Sequence, residues 1–98
     1  MVLATGRWFG HVLNVIGDHA QARTVLEAGL GDAAAAKADD YAGRMRVELA
    51  RSLLGTGDRD AALEHARAGT AACEAAGVPA PMLADMHALV QQLESARR

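Results

Sequence analysis

Apolar residues recur three and four positions apart along nearly all of this 98-residue chain, the spacing of one face of a helix. Trp8, Phe9, Val12, Leu13 and Ile16 predict a first helix from about Thr5 to Ile16. Gly17 closes it, and Asp18 is placed to cap the next, with Gln21 three residues on completing a capping box. A second helix carries Ala22, Val25 and Leu26 and runs toward Lys37. The two glycines of AGLGD (residues 28–32) leave open whether it is continuous or broken there. Asp39 or Asp40 caps a third helix with a stripe of Met45, Leu49, Leu53 and Leu54, and Gly55-Thr56-Gly57 ends it. Asp58 starts a fourth, with Ala62, Leu63, Ala66 and Ala72 facing inward, and Gly77 is a left-handed stop followed by Val78-Pro79. A fifth begins near Pro81 and carries Met82, Met86, Leu89, Val90 and Leu93. No strand pattern competes, so the expected fold class is all-α.

The pattern also repeats. IGDHAQARTVLE (residues 16–27) and GTGDRDAALEHA (residues 55–66) carry the same Gly-Asp pair ahead of an alanine-rich amphipathic run. Gly17 and Gly57 lie forty residues apart, and the same offset pairs Phe9 with Leu49, Gly10 with Ala50, Leu13 with Leu53, Asp18 with Asp58, Ala22 with Ala62 and Gly29 with Gly69. A second step of forty brings Leu89 and Leu93 into line with Leu49 and Leu53. A fixed period in this range marks stacked helical hairpins, each unable to bury its apolar face alone.

These residues resemble the tetratricopeptide repeat. That family sets large, small and large residues along the first helix of each hairpin, matched here by Phe9, Gly10 and Leu13 and again by Leu49, Ala50 and Leu53. A small residue stands where the second helix crosses closely: Ala22 and Ala62. The resemblance covers nearly the whole chain and implies one domain, residues 1–98, built as a right-handed stack of antiparallel hairpins. Repeat one spans about 3–38, repeat two about 39–78, and a capping helix about 80–97. The chain departs from the family in period, forty residues against about 34. It has Leu26 and Ala66 in place of an aromatic residue, and glycine at Gly29 and Gly69 in place of alanine. Longer repeats ending in phrases such as EAAGVP are similar to the helical arrays within large bacterial signal-responsive transcription regulators.

The balance of residues narrows the function classes. Hydrophobic residues make up 51% of the chain but aromatic ones only 3%, so a core of small side chains contributes little burial per residue. A formal charge of −2 and the want of a basic run argue against direct binding of nucleic acid. The longest apolar stretches, such as VLNVI, are too short to span a bilayer, and the N-terminus does not read as a signal peptide. The expected setting is the cytoplasm, without membrane contact. Cys73 stands alone in the sequence, which excludes an intrachain disulfide, and it reads as a small buried or half-buried residue. The four histidines, His11, His19, His65 and His87, form no helical pair and no HExxH, so they read as surface residues and no metal is expected. Asp39-Asp40 and Asp58-Arg59-Asp60 sit at helix starts, where negative charge complements the helix dipole. Trp8 reads as packing. No catalytic constellation and no cofactor site is found, so the chain is not expected to be an enzyme.

In the family it resembles, the first helices of successive repeats line a concave groove that commonly holds a peptide or a partner helix. The register above places Arg7, His11 and Asn14 on that face from the first helix, Arg44, Val47 and Arg51 from the third, and Ala84, His87 and Gln91 from the fifth. None is acidic, although Asp and Glu outnumber Lys and Arg 12 to 10. The expected function is therefore a protein-interaction module whose basic groove takes a peptide or acidic partner segment, as part of a bacterial regulatory protein. The alternative is a structural module that self-associates as a homodimer. The apolar surface left by Met82, Met86 and Val90 on the last helix would then be covered by a second copy, whereas if the chain is a fragment of a longer array, further repeats cover it.

Overall fold

A computed structural model of the chain describes residues 2–35 and 39–96, and the side chains of residues 7–31, 33 and 41–95. Five helices follow one another: α1 (Val2–Val15), α2 (His19–Ala35), α3 (Asp39–Gly55), α4 (Arg59–Ala75) and α5 (Ala80–Ala96). Among the described residues there is no strand. No described helix is long and apolar enough to cross a membrane. The helix α1 begins three residues earlier than its apolar pattern suggests. The side chains of Asp39 and Asp40 lie outside those described, so the expected cap of α3 does too.

The turns explain the helix boundaries. The α1 end closes with the Asp18 amide donating to the Leu13 carbonyl at 2.8 Å and the Gly17 amide to Asn14 at 3.1 Å. The α3 end repeats this, Asp58 to Leu53 at 2.9 Å and Gly57 to Leu54 at 3.2 Å, and so does the α4 end, Val78 to Cys73 at 3.0 Å and Gly77 to Glu74 at 3.1 Å. This six-to-one and five-to-two pair is the Schellman stop, which needs a left-handed residue. Gly17, Gly57 and Gly77 take it with φ of 90°, 91° and 78°. In the first two turns the following aspartate also opens the next helix. The Asp18 carboxylate accepts from the Gln21 amide, and that of Asp58 from the Ala61 amide, each at 3.3 Å. A stop and a start sharing one dipeptide force consecutive helices to run antiparallel.

The helix α2 runs unbroken through Gly29 and Gly31. At Gly29 the space of a side chain is taken by the Met45 methyl of α3, whereas Gly31 faces open space. A side chain at Gly29 would have to displace the flexible end of Met45, whereas at Gly31 it would meet nothing, so glycine there costs about 1 kcal/mol of helix propensity without a packing return.

The core runs through the middle of the chain. The third helix packs most extensively, against α4 and then α2, and it also touches α1. Leu13, Leu26, Met45, Leu49, Leu53, Leu63 and Leu93 are buried, and so are the crossing residues Ala22, Ala62 and Ala66. Cys73 is fully buried among them. Small residues let α3 and α4 come unusually near: a Cβ on Gly69 would stand 2.5 Å from the carbonyl oxygen of Gly43. The radius of gyration is 12.3 Å, close to the roughly 12.6 Å of a compact chain this long.

Two expectations about apolar faces change. Trp8 is 63% exposed, and Phe9, Val12, Val15 and Ile16 are exposed as well, so of the α1 stripe only Leu13 is buried. On α5, by contrast, Met86, Leu89 and Leu93 are buried and Val90 half-buried, leaving Met82 exposed. The open apolar surface is on α1, whereas α5 turns its stripe onto the preceding helices.

Candidate functional site

A groove of about 230 Å³ opens where α1, α3 and α5 meet. Arg7, His11, Arg44, Val47 and Arg51 line it together with Trp8, Glu48, Met82, Asp85 and Met86. Helical spacing brings the α3 residues together: Arg44, Glu48 and Arg51 are four and three apart and share one face.

Glu48 organises one side. It is 5% exposed, and a carboxylate that far from water needs donors. His11 Nδ1 lies 2.9 Å from Oε1, Asn14 Nδ2 donates to Oε2 at 2.8 Å, and Arg51 Nη1 donates to Oε1 at 3.2 Å. Asn14 also donates to the Glu48 carbonyl at 3.1 Å, and its own Oδ1 accepts from Ser52 and contacts His19 Nδ1, both at 2.9 Å. The network ties α1 to α3. It also means that three of the expected groove residues, His11, Asn14 and Arg51, already spend polar groups on an internal carboxylate. Two histidines expected at the surface, His11 and His19, are half-buried members of it.

The other side is less satisfied. Arg7 places its guanidinium carbon 5.8 Å from the centre of the Tyr41 ring, a cation–π approach. The Nε atoms of Arg7 and Arg44 are shielded from solvent and have no hydrogen-bond partner among the described residues. Buried donors of this kind are uncommon in folded proteins. Val47 is buried beneath them as a floor. The Trp8 ring, 5.9 Å from that of His11 and inclined to it by 35°, forms the α1 rim, and Met82 faces it from α5.

The fifth helix enters the groove through Met82, Asp85 and Met86, while Ala84, His87 and Gln91 are exposed outside it. His87 Nε2 instead lies 3.3 Å from Glu74 Oε1 of α4. Burial of Met86, Leu89 and Leu93 sets the rotation of α5, and that rotation carries Ala84, His87 and Gln91 away from α1 and α3. The groove is thus mixed in charge, with Arg7, Arg44 and Arg51 beside the carboxylates of Glu48 and Asp85. Glu48 could have been found from its place between Arg44 and Arg51 on one helical face. Nothing in the sequence signals Asp85 without knowledge of how α5 is rotated.

A wider depression of about 540 Å³ lies between α2, α3 and α4, but among the described residues alanines, glycine and leucine line it and Arg46 is its one charged side chain. The described lining offers no converging polar groups. Comparison of the chain with protein-family models, with curated proteins and with solved structures finds no match.

Proposed function

We propose that this chain is a non-catalytic interaction module of tetratricopeptide type, two hairpins and a closing helix, whose groove binds a partner segment carrying a carboxylate. The observation that carries this reading is the pair of arginines, Arg7 and Arg44, converging on one groove with shielded Nε donors that no described residue satisfies. A guanidinium presents donors in a fork that suits a carboxylate. At about 230 Å³ the groove is smaller than the roughly 300–1,000 Å³ of small-molecule sites. It suits one or two side chains of a longer ligand. Trp8 and Met82 supply apolar walls on either side of that position, so the favoured segment pairs an acidic residue with an apolar neighbour. Glu48 and Asp85 narrow the choice further, because they repel a segment with carboxylates in every position. Within a bacterial regulatory protein such a module relays partner binding to an effector domain.

The test is a titration of the whole chain with a short peptide containing one glutamate and a free C-terminal carboxylate, followed by the fluorescence of Trp8, the only tryptophan. Saturable quenching that weakens with salt and disappears in Arg44→Glu supports the reading. No saturation at millimolar peptide, or equal binding by Arg44→Glu, overturns it.

A further inference from the structure

We propose that the exposed face of α1 is the surface through which two copies of this chain pair about a twofold axis. Trp8, Phe9, Val12, Val15 and Ile16 lie on that face with no charged side chain among them, and Val15 and Ile16 are 70% and 69% exposed.

The internal repeat identifies what kind of surface this is. Forty residues on, Trp8, Phe9 and Val12 correspond to Glu48, Leu49 and Ser52, all of them buried. Glu48 and Ser52 are bonded to α1. Val15 corresponds to Gly55, which lies against the His19 ring of α2. The same positions that seat α3 on the first hairpin are therefore bare on α1. Where α3 meets α1 the match is polar, a carboxylate and a hydroxyl against an imidazole and an amide. On α1 the equivalent positions are tryptophan and valine, and they call for an apolar cover.

The opposite end of the molecule is a poor cover. The outward residues of α5, among them His87, Ala88, Gln91 and Gln92, are small or polar. Head-to-tail stacking would bury imidazole and amide groups against Trp8 and Val15 without partners. Twofold pairing sets apolar on apolar and closes after two copies. The five residues present roughly 600 Å² together, the upper end of what monomeric proteins leave open. That is about three-quarters of the 800 Å² or so that each partner commits to a standard interface. Trp8 also borders the groove, so pairing covers one groove rim and leaves Arg44 open.

Light scattering on a sizing column, over a dilution series from millimolar to micromolar, tests this on the whole chain. The expected result is twice the 10.2 kDa chain mass at high concentration, falling to one on dilution, with Trp8 emission moving to longer wavelength in step. Val15→Lys and Ile16→Glu, both at exposed sites, should retain the helical circular dichroism and move the midpoint about tenfold or more toward higher concentration, a loss of about 1.4 kcal/mol. Ala88→Lys on α5 should leave it in place. A monomer throughout, a dimer indifferent to both α1 variants, or growth into larger assemblies each overturns the proposal.

Discussion

Gly43 and Gly69 face each other across the crossing of α3 and α4 so closely that each holds the other's backbone within reach: a Cβ on Gly69 would stand 2.5 Å from the Gly43 carbonyl oxygen, and one on Gly43 would stand 3.0 Å from the Gly69 oxygen. The first is a separation that a backbone atom cannot yield without moving a helix. Gly69→Ala should therefore lose more to overpacking, about 1–3 kcal/mol, than the roughly 1 kcal/mol it gains in helix propensity. We expect a lower urea midpoint and a melting temperature reduced by several degrees. Gly31→Ala is the contrasting case: a helix interior with nothing within 4 Å. It should raise stability by up to about 1 kcal/mol. If both substitutions destabilise, glycine is being kept in α2 for some reason other than packing.

Glu48 is the second test. His11, Asn14 and Arg51 all direct polar groups to its buried carboxylate. Glu48→Ala removes the common acceptor, though the exposed parts of His11 and Arg51 regain water. We expect a loss of about 2 kcal/mol in a denaturant melt. Because His11 and Asn14 join α1 to that carboxylate on α3, amide exchange should quicken in α1 more than in α4. Equal acceleration in both helices would show that Glu48 supports the core generally and not that junction.

The two Gly-Asp turns make a third. Asp58 both follows the left-handed Gly57 and accepts the Ala61 amide at 3.3 Å. Asp58→Ala should cost about 1 kcal/mol, and Gly57→Ala about as much again by forcing a side chain into the left-handed region. The same changes at Asp18 and Gly17 should match them within experimental error, since the turn geometry is the same. A large inequality in thermal melts would mean that the two hairpins are closed differently in solution.

These turns also show why much of the architecture is legible in sequence. Gly17, Gly57 and Gly77 act through local backbone geometry, so helix ends and the forty-residue period can be read without knowing any tertiary neighbour. Buried Leu13, Leu49, Leu53, Leu89 and Leu93 follow from the same register. What periodicity cannot say is whether an apolar face has anything to pack on. Trp8, Val12 and Ile16 form as clear a stripe as Met86, Leu89 and Leu93, yet the first is open and the second covered. Rotation about a helix axis is likewise a tertiary outcome, which is why α5 brings Asp85 to the groove in place of His87 and Gln91. Glu48 is the opposite case, since its spacing from Arg44 and Arg51 already puts it beside them.

His65 on α4 provides a prediction in pH. Burial first, and the Arg46 guanidinium second, hold its pKa below the ordinary 6.5, while Glu64 and Glu27 pull weakly the other way and Arg23 adds to the lowering. Arg46 Nη1 lies 3.3 Å from His65 Nδ1, a contact that suits a neutral ring. In the unfolded chain the ring takes up its proton near 6.5, and in the folded chain only at lower pH. Between the two values the unfolded state binds more protons, so stability rises with pH there. The contribution of His65 is thus complete above about 6.5 and declines as pH falls from that value through the depressed folded one. His65→Gln abolishes this part of the pH dependence, so the stability difference between variant and parent should change across that window and stay level above it. Arg46→Gln removes the second cause but not the first, and in an NMR titration the His65 ring should move back toward 6.5 without reaching it. A full return would assign the whole effect to Arg46, and no movement would assign it all to burial.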